Sequence, residues 1–225
     1  MSSSQHLEYE LQALRQLLMA MTDLVDAQLA DAMNALLEDD APLADAVIER
    51  DHRVDALEIR IDQQCERLLA RFAPVAVDLR LLVIAVKVNT DLERIGDHCR
   101  NLARNTHHLS PLANPLRKTP IPEMADLSRT MLRDVQRAFL EHDRVLARKV
   151  VARDMRVNRL HRKAFGQLVS LAEAPEYVEA TAHLITAIKA LERIADHVKN
   201  VANHVIFLVE GVDQRHPKLR SAGSQ

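Results

Sequence analysis

Apolar residues recur at alternating steps of three and four along most of the chain, the spacing of helices buried on one face. One such seam runs through Leu81, Ala85, Val88, Leu92, Ile95, Cys99 and Leu102. Another runs through Leu184, Ala187, Leu191, Ile194, Val198, Val201, Val205 and Leu208. Prolines and short acidic runs separate the periodic stretches. The pattern predicts six long helices, at about 5–37, 43–72, 77–109, 123–140, 145–172 and onward to about 210, where Gly211 is a candidate C-terminal cap.

The second half of the chain repeats the first. The string Leu92-Glu-Arg-Ile-Gly-Asp-His98 returns 99 residues later as Leu191-Glu-Arg-Ile-Ala-Asp-His197, and residues 50–57 align with 153–160 at an offset of 103. We therefore expect an all-α protein made of two tandem three-helix bundles, with a shorter connection between the last two helices of the second. The expected divisions are 1–110, a Pro-rich linker at 111–122, 123–211, and a disordered tail at 212–225.

Composition supports the all-α class and excludes several functions. The chain has 225 residues, only four Gly, eight Pro and no Trp, and its net charge of −2 gives no case for nucleic-acid binding. The longest uninterrupted apolar run, residues 81–86, is too short for a transmembrane segment, and we recognise no signal peptide. Cys65 and Cys99 lie within predicted helices, so we expect reduced core thiols in a cytoplasmic protein.

Carboxylates at helical spacing are the main candidate chemistry. Glu93 and Asp97 stand four residues apart at outward-facing heptad positions, where like charges repel each other. The preceding helix carries a similar pair, and both pairs recur in the second half. Oxygen ligands on rigid helices suit hard cations such as magnesium, manganese or ferric iron. The predicted metal residues are Asp51, Asp55, Glu93, Asp97, Asp154, Asn158, Glu192 and Asp196. A solvated acidic face is the alternative.

Other possible ligands follow the same motif. Asn101 and Asn200 continue the carboxylate row, and His98 and His197 could join an outer metal shell, although we favour plain helix-surface histidines. Neither Cys nor His is found in a set at zinc-ligand spacing. We also find no di-iron motif on two helices, phosphate loop or nucleophile elbow, so no catalytic residue is predicted.

Charge is unevenly distributed. Residues 129–163 hold 11 basic and 4 acidic side chains, and we take Arg148, Lys149 and Arg153 as candidate partner-binding residues. The partner could be an acidic protein, an anionic membrane surface or the acidic first half of another copy. A solvated arginine-rich face is the alternative.

Longer strings resemble one known family. Residues 74–80 (PVAVDLR) and 91–98 (DLERIGDH), with 191–197 and 205–211 (VIFLVEG) in the second half, resemble the PhoU family of bacterial phosphate-signalling proteins. The resemblance covers about residues 7–211. It implies two bundles related by pseudo-twofold symmetry, a homodimer, and metal ions or clusters bound by the acidic pairs. Asn158 departs from the family's acidic pattern.

The resemblance also implies a function. Similar proteins act in the cytoplasm at the inner membrane, where they contact the phosphate ABC transporter ATPase (PstB) and the PhoR sensor histidine kinase. They are non-enzymatic negative regulators of the phosphate-starvation response. The alternative class for this chain is a metal-storage or metal-dependent hydrolytic helical protein that uses the same carboxylates.

Overall fold

Six long helices form the part of the chain that the structure, a computed structural model, describes: residues 3–108 and 116–211. They are α1 (Ser3–Glu38), α2 (Ala41–Phe72), α3 (Ala76–Arg104), α4 (Ile121–Glu141), α5 (Arg144–Leu171) and α6 (Val178–Glu210). Short 3₁₀ turns follow α3 (Asn105–His108) and precede α6 (Pro175–Tyr177). The all-α prediction is confirmed.

The two halves share the same helix-to-helix turn. Asp39 and His142 adopt left-handed φ values of 56° and 53°, which ends α1 and α4. The next residues are N-caps: the Asp40 carboxylate accepts a hydrogen bond from the Leu43 amide at 3.0 Å, and the Asp143 carboxylate accepts one from the Val145 amide at 2.8 Å. These acidic runs end one helix and start the next in each repeat.

One hydrophobic core runs through both halves. Helices α1–α3 form the first bundle and α4–α6 the second, while α3 packs against α6 and α1 against α4 across the boundary. Every position of the two predicted apolar seams is buried. Because side chains of both bundles belong to one continuous cluster, the repeats are joined by apolar packing rather than tethered by a linker.

Ion pairs between helices follow the repeat as well. Arg50 on α2 binds Asp31 on α1 at 2.6 Å, and Arg153 on α5 binds Asp134 on α4 in the equivalent place. Arg129 forms a bidentate pair with Asp26 at 3.1 Å, which links α4 to α1 across the two bundles.

Two predicted boundaries change. The third helix ends at Arg104 and continues as the 3₁₀ turn, and its predicted last residue, 109, lies outside the described residues. Pro122 belongs to the first turn of α4, where proline is favoured, rather than to the linker. The linker residues 111–115 and the predicted disordered tail at 212–225 lie outside the described residues.

The prediction of a shorter connection in the second half is wrong. The α2–α3 connection spans 73–75, whereas the α5–α6 connection spans 172–177 and contains the 3₁₀ turn. Helix α5 has 28 residues and α2 has 32, so the difference in offset arises from the shorter helix.

Gly211 caps α6 as predicted, with φ of 70° and its amide bonded to the Phe207 carbonyl at 2.9 Å. Cys65 and Cys99 are buried free thiols, and desolvation raises the pKa of Cys65 to about 12. None of the helices in the described ranges is long and apolar enough to cross a bilayer.

Two helical glycines should respond differently to alanine. A Cβ at Gly166 would meet no atom within 4 Å, so we expect Gly166→Ala to raise the free energy of unfolding by about 0.5–1 kcal/mol. A Cβ at Gly96 would lie 3.1 Å from Val54 Cγ1 and 3.2 Å from Asp51 Oδ1, so Gly96→Ala should gain less or lose stability. Urea denaturation of both variants measures this, and equal gains would contradict the tight α2–α3 contact.

Candidate functional site

The first set of predicted metal residues lies where α2 and α3 approach closely at Gly96. Asp51 is only 2% exposed, because the absent side chain of Gly96 lets its carboxylate lie against α3. Glu93 and Asp97 on α3 are half-buried, and Asn101 is exposed. Asn101 faces outward as predicted for the row that it forms with Glu93 and Asp97, whereas these two are only partly exposed. The Asp51 carboxylate, which is not part of that row, lies between helices.

Two arginines of α3 neutralise part of this acidic surface. The Arg100 guanidinium donates to the Asp51 carboxylate through one nitrogen and contacts Asp97 Oδ1 at 2.6 Å through the other. Arg94 lies 3.3 Å from Glu93 and 3.5 Å from Asp97. Arg100 therefore bridges α2 and α3 through two of the predicted metal ligands.

Two further carboxylates, which the sequence analysis missed, extend the site along α2. Burial raises the pKa of Glu58, and the negative charges of Asp62, Asp55 and Asp97 raise it further. We call the group Asp51, Asp55, Glu58, Asp62, Glu93 and Asp97 the first acidic cluster. Its α2 members recur at steps of four, three and four, so following the Asp51–Asp55 face one more turn would have found them.

The first acidic cluster carries more negative charge than its arginines offset. Burial, the charge of Asp97 and a hydrogen bond shared with Asp97 raise the pKa of Glu93 to about 7. Burial also raises the pKa of Asp51, together with the charges of Asp55 and Asp97, and outweighs the opposing effect of Arg100. A carboxylate such as Glu93, whose pKa is raised to about 7 by burial and neighbouring negative charge, lies where an added cation is stabilising.

The second set of predicted metal residues is built differently. Lys199 on α6 binds Asp154 at 2.7 Å and Asp196 at 3.4 Å, in the place of Arg100. The Asn158 amide donates to Asp154 at 3.2 Å. Asp154 is 6% exposed, so it too lies at a helix interface. We call Asp154, Glu192 and Asp196 the second acidic cluster.

Basic residues balance the second acidic cluster. The positions equivalent to Glu58 and Asp62 are His161 and Phe165, and Thr90 is replaced by Lys189, which binds Glu192. Burial alone would raise the pKa of Glu192, but the hydrogen bond from Lys189 and the charges of His161 and Arg193 lower it overall. The two halves thus put the same motif in opposite electrostatic settings.

Both clusters are spread along their helices. Among the residues described, no three carboxylates of either cluster bring ligand atoms within 4.8 Å of one another. Their oxygen donors fit a hard cation by chemistry, and the charge excess of the first cluster fits one by electrostatics. An ion there would compete with Arg100 for Asp51 and Asp97.

The motif histidines lie at the seam between the bundles and not on an open helix surface, which corrects the interpretation that we favoured. The rings of His98 and His197 are 5.7 Å apart, and desolvation lowers the pKa of His98. His197 binds Asp91 of α3 at 2.8 Å, and Asn200 donates to the same carboxylate at 3.3 Å. His197 and Asn200 therefore tie α6 to α3.

The candidate partner residues do not form a free basic face. Arg148 binds Glu210 at 2.7 Å, and Arg153 is committed to Asp134 within its own bundle. Of the three, Lys149 is exposed and takes part in neither of these two ion pairs. A charge reversal that includes Arg153 would also remove a contact that holds α5 to α4.

Opposite effects are expected from removing the equivalent glutamates in metal-free protein. The pKa of Glu93 is about 7 in the folded protein, and its ordinary value is 4.5. The protonated carboxyl group therefore contributes its full stabilisation below pH 4.5, and this contribution is lost as the pH rises through 7. Glu93→Gln should therefore stabilise the protein at pH 8. The shift amounts to about 3 kcal/mol, and solvent screening of this half-buried group reduces the expected gain to about 1–2 kcal/mol.

Glu192→Gln is the matched control. The pKa of Glu192 is lowered. Its negative charge therefore stabilises the fold when the pH is above the ordinary pKa of a glutamate, and this stabilisation is lost as the pH falls through the lowered pKa. The control should destabilise the protein at pH 8. Urea unfolding with a chelator at pH 5 and pH 8 measures both, and a loss of stability in both variants would contradict the electrostatic difference between the clusters.

The fold and the site define a helical protein of two tandem repeats with carboxylates at the α2–α3 interface. Known proteins of this class are similar to the chain in sequence. The sequence pattern of the PhoU domain matches twice, at residues 18–106 and 121–205. The chain is 38% identical over 219 residues to the phosphate-specific transport system accessory protein PhoU homolog of Pseudomonas putida, covering 96% of this chain and 86% of that protein. The Pseudomonas aeruginosa homolog is also 38% identical, over 95% of this chain and 89% of its own length.

Solved structures give the same result. The crystal structure of PhoU from Pseudomonas aeruginosa superposes with a TM-score of 0.83 at 35% identity, covering 91% of this chain and 99% of that one. The phosphate transport system regulatory protein PhoU from Streptococcus pneumoniae gives 0.86 at 28% identity, over 92% and 98%. The chain belongs to the PhoU family.

Proposed function

We propose that this protein is a non-enzymatic accessory protein of phosphate-specific transport that represses the phosphate-starvation response when phosphate is plentiful. The observation that carries the proposal is the two-repeat likeness to PhoU proteins over nearly the whole chain. The relatives are named as accessory proteins of the phosphate-specific transport system.

The proposed mechanism is protein–protein contact at the cytoplasmic face of the inner membrane. The contacted proteins are the ATPase of the phosphate ABC transporter (PstB) and the PhoR sensor histidine kinase, and the protein acts as a homodimer. The packed helices α3 and α6 join the two bundles at the centre of the molecule, so both bundles present their surfaces to such partners from one packed unit.

Metal binding at the acidic clusters is the second part of the proposal. The first acidic cluster would hold a hard cation, such as magnesium, manganese or iron, through its aspartate and glutamate oxygens. The raised pKa of Glu93 supports this, because the site gains from added positive charge. A bound cation would supply charge compensation, and the carboxylates would fix the spacing of α2 and α3.

Deletion of the gene tests the function. Cells that lack the protein should express a phosphate-starvation reporter in phosphate-rich medium, and a plasmid copy of the wild-type chain should restore repression. A copy carrying Gly166→Ala, which alters an open helical position, is the matched control and should also restore it. A reporter that stays repressed in the deletion strain would refute the regulatory proposal.

A binding and turnover assay separates the regulator from the alternative metal enzyme. The purified protein should bind the purified transporter ATPase or the cytoplasmic part of the sensor kinase, and it should not hydrolyse phosphate esters with iron, manganese or magnesium. Turnover that disappears in Asp97→Asn would favour the hydrolytic alternative.

A further inference from the structure

Two histidines and a glutamate meet at one end of the α3–α6 pair. His108 closes the 3₁₀ turn after α3, and Glu179 and His183 lie one turn apart near the start of α6. Their ligand atoms all lie within 4.8 Å of one another. The imidazole rings of His108 and His183 stack at 3.9 Å between centroids with only 4° between their planes.

The equivalent place in the other repeat, where α3 begins beside the end of α6, has different side chains. The residues equivalent to Glu179, His183 and His108 at the offset of 99 are Arg80, Ile84 and Phe207. Arg80 lies 5.8 Å from the centre of the Phe207 ring and donates to the Leu208 carbonyl at 3.2 Å, while Ile84 is buried. That corner is closed by a cation–π contact and apolar packing.

In contrast, the corner formed by His108, Glu179 and His183 carries a metal-ligating group at all three positions. Two imidazoles and one carboxylate are the ligand set of three-ligand zinc sites, in which water takes the fourth position. Imidazole nitrogens also distinguish this group from the oxygen-only acidic clusters, since nitrogen ligands favour zinc, nickel or copper over magnesium and calcium. The group lies at neither acidic cluster and makes no use of their carboxylates.

The surrounding contacts hold the two segments in place before any ion binds. Asn105 accepts a hydrogen bond from the Thr186 hydroxyl at 2.9 Å, one turn away from His108 and His183 on each side. Tetrahedral ligands about 2.1 Å from zinc are about 3.4 Å apart. The side chains of His108 and Glu179 are exposed, and they would rotate, with a tilt of the stacked rings, to bring the three ligand atoms onto one ion.

We propose that His108, Glu179 and His183 bind a zinc-class divalent metal ion, separate from the acidic clusters, that ties the end of the first bundle to the start of α6. This site goes beyond the proposed function and does not depend on it. The ion would hold the end of α3 to the start of α6, as the Arg80–Phe207 contact holds the start of α3 to the end of α6.

Zinc titration of chelator-treated full-length protein tests the proposal. The probe is zinc alone, measured by competition with a chromophoric chelator, and cobalt(II) reports tetrahedral geometry through its visible absorption. The double variant His108→Phe/His183→Ile introduces the residues of the other corner. We expect it to lose one bound zinc, or to bind it at least about tenfold more weakly, and to lose the cobalt bands.

Controls separate loss of the ligands from loss of the fold. His107→Ala removes a neighbouring imidazole that contacts Asp45 at 3.1 Å and should keep the zinc and the cobalt bands. Glu179→Gln keeps the shape of the corner and should weaken zinc binding without changing the melting temperature in chelator. Equal zinc stoichiometry and affinity in wild type and in the double variant, or cobalt spectra that do not change between them, would overturn the proposal.

Discussion

Replacing Arg100 with methionine is expected to destabilise the metal-free protein and to tighten manganese binding. Arg100 bridges Asp51 and Asp97, and its guanidinium is the main positive charge near the buried Asp51 carboxylate. Removing one partner of a buried ion pair costs up to several kcal/mol. Because the Arg100 side chain is a quarter exposed, we expect a loss of about 2–3 kcal/mol.

The loss should grow with pH. Burial already raises the pKa of Asp51, and Arg100 is the group that opposes this. Without Arg100 the carboxyl takes up a proton more readily, so at low pH the variant avoids an unpaired buried charge. As pH rises the Asp51 proton is lost and the cost appears, so the difference from wild type should be larger at pH 8 than at pH 5.

The effect on metal binding has the opposite sign. A cation at the first acidic cluster must displace Arg100 or bind beside it, and two unit charges about 5 Å apart interact by about 3 kcal/mol at an effective dielectric constant of about 20. Arg100→Met should therefore bind manganese at least about tenfold more tightly. Added manganese should also restore much of the lost stability, because it binds the folded state.

Lys199→Met is the matched control for this experiment. Lys199 holds the equivalent position, but Asp154 keeps a hydrogen bond from Asn158 when the lysine is removed. The control should lose less stability and gain less manganese affinity. Urea unfolding with and without manganese measures both effects. Manganese affinity that does not change in Arg100→Met would show that the ion does not bind at the first acidic cluster.

The sequence predicted the helices and the core well, because both depend on local periodicity. The seam from Leu81 to Leu102 is buried at each predicted position, and the acidic runs that contain Asp40 and Asp143 separate the helices as predicted. A heptad assignment says which face of a helix is apolar. It does not say how near the neighbouring helix comes, so the burial of Asp51 beside Gly96 could not be predicted.

The contacts between the repeats could not be predicted from the sequence either. Asp91 is bound by His197, Asn200 and His204 of α6, which depends on the register of two helices about a hundred residues apart. The Glu179–His183 pair stands at i, i+4 and could have suggested a ligand pair, but His108 joins it only through the fold. A search for metal ligands by sequence spacing does not reach this group for that reason.

The differences between the repeats are more informative than their likeness. Asn158, His161, Phe165 and Lys189 all reduce the negative charge around the second acidic cluster relative to its counterparts Asp55, Glu58, Asp62 and Thr90. One such change could be neutral drift of a helix surface. Four changes of the same electrostatic sign at one site leave the second acidic cluster with less uncompensated negative charge than the first.

Asp97→Asn should consequently remove much more bound manganese than Asp196→Asn. Asp97 belongs to the first acidic cluster, where the pKa of Glu93 is raised, and Asp196 lies beside Lys199 and Arg193. Affinity of oxygen sites rises with the number of charged ligands. We expect Asp97→Asn to weaken manganese binding by about 10-fold or more and Asp196→Asn to change it about twofold or less.

Manganese content and melting temperature should be followed together in both variants, in the His108→Phe/His183→Ile background so that the proposed zinc site does not contribute. A ligand that binds only the folded state raises the melting temperature with its concentration, so the rise should be lost in Asp97→Asn and kept in Asp196→Asn. Equal losses would mean that the substitutions around the second cluster have no effect on binding. If the parent protein shows no manganese-dependent rise, the carboxylates do not hold this cation and instead contact partner proteins or form a solvated acidic face.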